Sequence, residues 1–319
     1  MTASSEPLHV LVLAGGISHE RDVSVRGGAR LAEAIRHAGA QATVLEPNAT
    51  LFDAITSAAP DVIWPVLHGA SGEDGALRDV LELTGIPYVG SDPEAARLAW
   101  DKSTAKTLAR RAGVATPDAA VFPRETFSEL DATSVLGALA ERLGLPLVLK
   151  PVKGGSAQGV SIITELDALP RALVDAYSYS DGLVVERHIE GTEVAVTIVD
   201  TGDGPQALPI VEISPVRGRY TYEARYTAGE TDFYVPARLA DDMAASVAQA
   251  AVTVHQTLGM REFSRIDFIV DAEGVPWFID ANVMPGVTET SLAPLAIHGT
   301  GRDEGEVYLD IARAAIARG

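Results

Sequence analysis

The chain contains no cysteine. Disulfides, zinc–thiolate centres and cysteine nucleophiles are therefore excluded. Cations are scarce. Lys and Arg number 25 against 44 Asp and Glu in 319 residues, giving a formal charge of −19 and a pI near 4.7. A nucleic-acid binder needs cations facing the phosphates, so that partner is not expected. No stretch approaches the ~18 apolar residues of a membrane span, and no membrane partner is expected. The first residues, MTASSEPLHVLVLAGG, lack the basic and long apolar regions of a signal peptide. Internal repeats, low-complexity tracts and flexible linkers are missing too. These absences point to a soluble, cytoplasmic, globular protein.

What is present supports a folded chain of two or three domains. Hydrophobic residues make up 47% and charged residues 22%, a composition that argues against disorder. The first ninety residues alternate short apolar runs with helical patterns. His9–Leu13, Gln41–Leu45 and Asp61–Leu67 read as strands; Arg26–Ala38 and Gly75–Thr84 read as helices. Such alternation implies βαβ units on a parallel sheet, an α/β class, with functional loops at the carboxyl ends of its strands. Gly15–Glu20 and His68–Gly75 occupy such ends. Pro93–Ala112 reads as one or two helices, with Lys102, Lys106 and Arg110 on one face; a solvated charged face is the plain alternative. Leu147–Lys150 and Leu183–Glu186 read as strands. The C-terminal half reads as α+β, with strands over Glu193–Asp200, Ile266–Val270 and Trp277–Ile279 and a helix over Asp241–Leu258. Ile213–Thr231 has no clean period and reads as a long functional loop.

Three patterns carry chemistry. Gly154–Gly159 is rich in small residues that let backbone N–H groups wrap an anion, although a plain turn fits equally. It is neither a Walker A motif nor GxGxxG, which removes a nicotinamide dehydrogenase from serious consideration. Lys150, at a strand end just before the loop, can place a point charge on a phosphate. Asp267 sits in an otherwise apolar run, where a charge is costly unless paired or metal-bound. Asp280 and Asn282, two apart, share one face of an extended chain. Oxygen ligands without His or Cys suit Mg²⁺ or Mn²⁺. A turn cluster of Asp and Asn is the alternative. Arg265 and the backbone N–H of Gly286 can form an oxyanion hole. Ser291, near a helix start, can simply cap that helix.

In this order the motifs resemble those of the D-alanine–D-alanine ligases of the ATP-grasp superfamily. The matching segments are LAGGISHERDVS (13–24), PVLHGASGEDG (65–75), Asp101-Lys102 with Lys106, LVLKP and GGSAQGVS (147–161), VVERHIEGTEVAV (184–196), YEARY (222–226) and RIDFIVD with FIDANVMPGVTETSL (265–292). The resemblance spans residue 9 to about 315. It implies an ATP-grasp fold preceded by a Rossmann-like domain: an N-terminal substrate domain over 1–91, a central subdomain over 92–189 and a C-terminal subdomain over 190–319. It implies ATP and one or two magnesium (or manganese) ions, an acylphosphate on the first D-alanine, attack by the amine of the second, a role in peptidoglycan precursor synthesis, and a homodimer.

It also implies residue roles. Glu20 holds the first ammonium, with His68 beside it. Ser156 and Tyr226 bond with Glu20 and close a loop. Lys102, Lys150 and Arg225 lie on ATP phosphates. Glu186, Ile189 and Glu193 meet adenine and ribose. Asp267, Asp280 and Asn282 bind magnesium. Arg265 and Gly286 form the oxyanion hole, and Ser291 and Leu292 meet the second D-alanine. Four positions depart from the family pattern. Gly154 and Ala157 replace a glutamate and a serine, Arg225 a lysine, and Asp280 a glutamate. They motivate an alternative, a related ATP-grasp ligase that joins a different amino-acid pair in secondary metabolism. Tyr226 is retained, which favours an amide product. A non-catalytic nucleotide-binding module is the reading from another class; Arg265, Asp267 and Asn282 speak against it.

Overall fold

The computed structural model describes residues 7–216, 220, 225, 227 and 229–319. Three sheets organise them. The first is parallel, in the order β2-β1-β3, from β1 (His9–Ala14), β2 (Gln41–Leu45) and β3 (Val62–Val66). Helix α1 (Arg21–His37) follows β1, and α2 (Leu51–Ala58), α3 (Ala70–Glu73) and α4 (Ala76–Glu82) follow in turn. Val10, Val12, Trp64 and Leu31 are fully buried between the sheet and its helices.

Helix α1 begins five residues earlier than the sequence pattern suggests, and Gly27 and Gly28 lie inside it. Glycine costs a helix interior about 1 kcal/mol relative to alanine. Close packing overrides that cost here. A side chain at Gly28 would overlap Ala14, and one at Gly27 would come 3.3 Å from Val287 Cγ2.

The second sheet is antiparallel, in the order β4-β7-β5-β6, from β4 (Ala119–Pro123), β5 (Leu147–Pro151), β6 (Ser161–Ile163) and β7 (Gly182–Arg187). Two helices, α5 (Pro93–Trp100) and α6 (Lys102–Arg111), precede it. Asp92 and Asp101 cap them by accepting from the N–H groups of Ala95 and Thr104. The short α7 (Thr126–Glu129), then α8 (Ala132–Leu143) and α9 (Leu169–Tyr177), accompany the sheet, and buried residues of α8 and α9 share its core.

The third sheet runs β11-β10-β8-β12-β13, with β9 (Gln206–Ala207) beside β8. Its strands are β8 (Thr192–Val199), β10 (Val211–Pro215), β11 (Thr231–Tyr234), β12 (Phe263–Val270) and β13 (Pro276–Asn282). Ile266, Phe268 and Val270 of β12 are buried under α10 (Asp241–Thr257), so Arg265, Asp267 and Ile269 point to the opposite face. The antiparallel register sets Arg265 opposite Asn282 and Asp267 opposite Asp280, with a shift between Asp267 and Phe268. The last helices are α11 (Leu292–Gly299) and α12 (Glu304–Arg318). Helix α12 packs on α1 and β3, so the chain ends against the sheet on which it began; Trp64, Phe263 and Tyr308 meet edge to face there.

Among the described residues no helix is long and apolar enough to cross a membrane. The irregular stretch after Ile213 begins as β10 and ends where β11 starts; much of its interior lies outside the described residues.

Candidate active site

Two adjoining cavities lie where the three sheets meet. The larger, about 900 Å³, opens between the second and third sheets, and a smaller one of about 60 Å³ lies between the first sheet's loops and residues 286–292. Ser156, Tyr220, Arg225, Arg265 and Asn282 line both.

The floor of the large cleft is ionic. Lys150, at the end of β5, contacts Glu186 of β7 at 2.6 Å, and Lys106 of α6 contacts the other oxygen of Glu186 at 2.9 Å. All three side chains are 3–4% exposed. The solvated-face reading of α6 therefore fails for Lys106, and for Lys102, which is also buried. Burial raises the energy of the Glu186 carboxylate, but the two ammoniums outweigh it and hold its pKa below the usual range. Burial pushes Lys106 down to about 8 against the pull of Glu186. Lys102 donates to the Gly154 carbonyl at 2.6 Å and lies 3.2 Å from Asp280, so it ties the glycine-rich loop to β13. In that loop Ser156 and Ala157 adopt positive φ of 49° and 57°, a conformation L-residues rarely take.

Across the cleft, Arg265 forks onto both oxygens of Asp267 at 2.7 and 2.8 Å. Burial opposes its charge, but Asp267 outweighs this and holds the guanidinium pKa above its ordinary value. Ile189 is buried in the same cleft, and Glu193 faces Arg225. Burial raises Glu193 to about 7, opposed by Arg225. Arg225 stacks on the ring of Tyr220, 4.1 Å from its centroid, and its buried Nε has no hydrogen-bond partner among the described residues.

Asp267, Asp280 and the Asn282 amide present oxygens only, on one sheet face, as a hard cation requires. Among the described residues no group of three or more His, Asp or Glu could alone hold a metal. Two carboxylates and one amide would fit magnesium only with substrate oxygens completing the shell. In their present pairing Arg265 and Lys102 neutralise the two carboxylates, and Asn282 Oδ1 accepts from the Met284 N–H at 2.8 Å.

In the small cavity Glu20 sits at the N-cap position of α1 and accepts a hydrogen bond from the Ser156 hydroxyl, 136 residues away. His68 is buried beside it and hydrogen-bonds to the backbone of Met284; its Nε2 has no partner among the described residues. Burial lowers the His68 pKa, against the pull of Glu20. Gly286 and Arg265 both line the cavity. A Cβ at Gly286 would come 2.8 Å from Ser291 Oγ. Ser291 stands at the N-cap position of α11 but makes no side-chain cap bond; its hydroxyl accepts from the Thr288 N–H at 3.0 Å instead. Simple capping is thus not its role. Leu292 also lines this cavity, and Tyr226 lies outside the described residues.

Two residues escaped the sequence reading. Glu73 accepts from the Gly69 N–H at 2.9 Å and borders both cavities. Burial, with the Glu20 charge second, raises it to about 8. It lies in the segment 65–75, but a carboxylate among glycines gives no sign of burial. Tyr220, buried and pushed by burial to about 12, lies in the stretch read only as a functional loop.

Two antiparallel sheets closing on a cationic, oxygen-lined cleft, preceded by a parallel α/β unit, define the ATP-grasp class of ligases. Family models described as the D-ala D-ala ligase N-terminus and C-terminus match residues 41–91 and 108–307. A D-alanine–D-alanine ligase of Bordetella petrii is 37% identical over 96% of this chain and 92% of its own length. Among solved structures, the D-alanine–D-alanine ligase of Bacillus anthracis matches with a TM-score of 0.83 and 27% identity over 98% of both chains. The same ligase complexed with ATP gives 0.80. The VanG D-Ala:D-Ser ligase of Enterococcus faecalis gives 0.82 at 26% identity, covering 97% of this chain and 100% of its own. The chain belongs to the D-alanine–D-alanine ligase family.

Proposed function

We propose that the chain is an ATP-dependent ligase that joins two D-alanines for peptidoglycan precursor synthesis, forming ADP and phosphate. The observation that carries the reading is the Glu20–Ser156 contact beside Arg265, Gly286 and Ser291, in a small cavity next to the cationic cleft.

ATP occupies the large cleft, with adenine and ribose near Glu186, Ile189 and Glu193 and phosphates near Lys102, Lys150 and Arg225. Asp267, Asp280 and Asn282 hold magnesium, which supplies charge neutralisation at the phosphates. Glu20, as a fixed anion, holds the ammonium of the first D-alanine, and His68 packs beside it. The carboxylate of that D-alanine takes the terminal phosphoryl group and ADP leaves. Positioning and charge neutralisation do most of the work in such a transfer. The neutral amine of the second D-alanine, with Ser291 on its carboxylate and Leu292 against it, attacks the acyl carbon. Arg265 and the Gly286 N–H stabilise the developing oxyanion. The C–O bond to phosphate breaks, the amine loses a proton, and D-alanyl-D-alanine remains. The family resemblance gives Tyr226, which lies outside the described residues, the role of keeping a loop shut with Glu20 and Ser156, because water would hydrolyse the acylphosphate. The three-part division at residues 91 and 189, a homodimeric assembly, a cytoplasmic location and a small-molecule-only partner set belong to the same reading.

The test is product identification by mass spectrometry after incubation with ATP, Mg²⁺ and a mixture of D- and L-amino acids. D-alanyl-D-alanine is the expected main product; a different pair, or no D-alanine-dependent phosphate release by folded protein, refutes the reading.

A further inference from the structure

Helix α1 carries Glu20 at its N-cap position and Arg30 nearly three turns further on. Arg30 does two things at once. One nitrogen donates to the Val287 carbonyl at 3.1 Å. The fork also closes on both oxygens of Glu304, at 2.5 Å for Nη2 to Oε2. Glu304 opens α12 and its side chain is 10% exposed. Its carboxylate also accepts the Tyr308 hydroxyl at 2.6 Å and lies 3.0 Å from His298 Nε2, in the last turn of α11. One carboxylate therefore holds both ends of the segment 287–298: the front through Arg30, the rear through His298. Ser291 and Leu292 lie inside that segment, and Gly286 immediately precedes it. The face of α1 at Gly27 presses on the same loop; an added Cβ would sit 3.3 Å from Val287 Cγ2 and 3.7 Å from Thr288 Cγ2.

We propose that Arg30, held by Glu304, is a positioning residue that fixes the 286–292 loop against α1 and so sets the subsite for the carboxylate of the second amino acid. The kinetic part rests on the proposed function; the positioning part does not. Arg30 lines neither cavity. It acts by fixing the distance between the helix that carries Glu20 and the loop that carries Gly286 and Ser291. A charge-assisted, two-pronged contact suits this task, because it fixes angle as well as distance. A lysine would keep the charge and lose the fork.

The experiment compares wild type with Arg30→Met, Arg30→Lys and Glu304→Gln by steady-state kinetics and by amide hydrogen exchange. Arg30→Met is expected to raise the KM of the second D-alanine roughly ten-fold, as loss of a charged hydrogen bond implies. The KM values for ATP and the first D-alanine should change little. Exchange should quicken at 286–292 and not in β1 or β12, and Arg30→Lys should restore part of the loss. Should Arg30→Met not fold, Gly27→Ala pushes on Val287 from the same helix without removing charge, and the same KM split is expected, smaller. Equal loss at every substrate, or unchanged exchange at 286–292, overturns the proposal. If wild type makes no D-alanyl-D-alanine, the functional reading falls, while hydrogen exchange still decides whether Arg30 holds the loop.

Discussion

Glu186 shares its two oxygens with two lysines, so the floor of the cleft holds two cations and one anion, each almost wholly buried. Removing different members of this trio should have unequal consequences. Glu186→Gln leaves Lys106 and Lys150 facing a neutral amide, and an uncompensated buried charge costs about 3–5 kcal/mol. Lys106→Met leaves Lys150 and Glu186 as a balanced pair at 2.6 Å and loses the Lys106 contacts to Glu186 at 2.9 Å and to the Phe278 carbonyl at 3.1 Å. With no unbalanced charge left behind, that loss is smaller, about 1–2 kcal/mol. The pH dependence separates the variants further. The Lys106 pKa is depressed to about 8 in the fold against 10.5 ordinarily, so between those values the unfolded chain binds more protons. Its stability contribution is thus full above pH 10.5 and is lost as pH falls through 8. Wild type should gain stability from pH 7 to 9 relative to Lys106→Met. The assay is urea unfolding of the three proteins at both pH values, with and without nucleotide. Equal costs for the two substitutions at pH 7, or parallel pH responses of wild type and Lys106→Met, would refute the charge accounting. Nucleotide should narrow the Glu186→Gln deficit, because phosphate replaces the missing negative charge.

Burial holds Glu73 near pH 8, so the native state keeps a proton that the unfolded chain releases near 4.5, and the stability from this group declines as pH rises between those values. Glu73→Gln should flatten that decline in thermal melts from pH 5 to 8; an unchanged slope would show that Glu73 is ionised throughout. Gly286→Ala inserts a carbon 2.8 Å from Ser291 Oγ and should lower kcat by about 10²-fold, the usual cost of a misplaced oxyanion donor, with Tm little altered. Normal turnover by that variant would remove Gly286 from the mechanism. Asp267→Asn takes the anion from both fork contacts of Arg265 and should abolish magnesium-dependent activity. Full activity with ordinary magnesium dependence would overturn the metal assignment.

Local signals carried much of this site. Asp267 stood out in an apolar strand, and Asp280 and Asn282 shared a face by two-residue spacing. Their alignment did not follow from the sequence, because the register shift after Asp267 is set by cross-strand packing. The four-residue spacing of Lys102 and Lys106 gave the helix face but suggested solvent. Their anions, Asp280 and Glu186, come from strands far along the chain, and only folding brings them together. Glu73 was invisible for the same reason: its burial, and the second perturbation from Glu20 on another loop, arise only in the folded chain. The first turn of α1, ahead of Arg26, was not read as helix, and the tolerance of Gly27 and Gly28 inside it is explained only by their contacts with Val287 and Ala14.

Strand β13 ends the third sheet's order, so among the described residues one side of its backbone has no neighbouring strand in that sheet. That side is covered instead. The Phe278 N–H donates to the Ala115 carbonyl at 2.8 Å, and the carbonyls of Phe278 and Ile279 accept from Lys106 and Lys150 at 3.1 and 3.5 Å. An uncovered strand edge is a template on which a second chain can pair and aggregate. Lys150, assigned to the nucleotide phosphates, and Lys106, its neighbour on Glu186, therefore also help cover a strand edge that would otherwise be open to pairing.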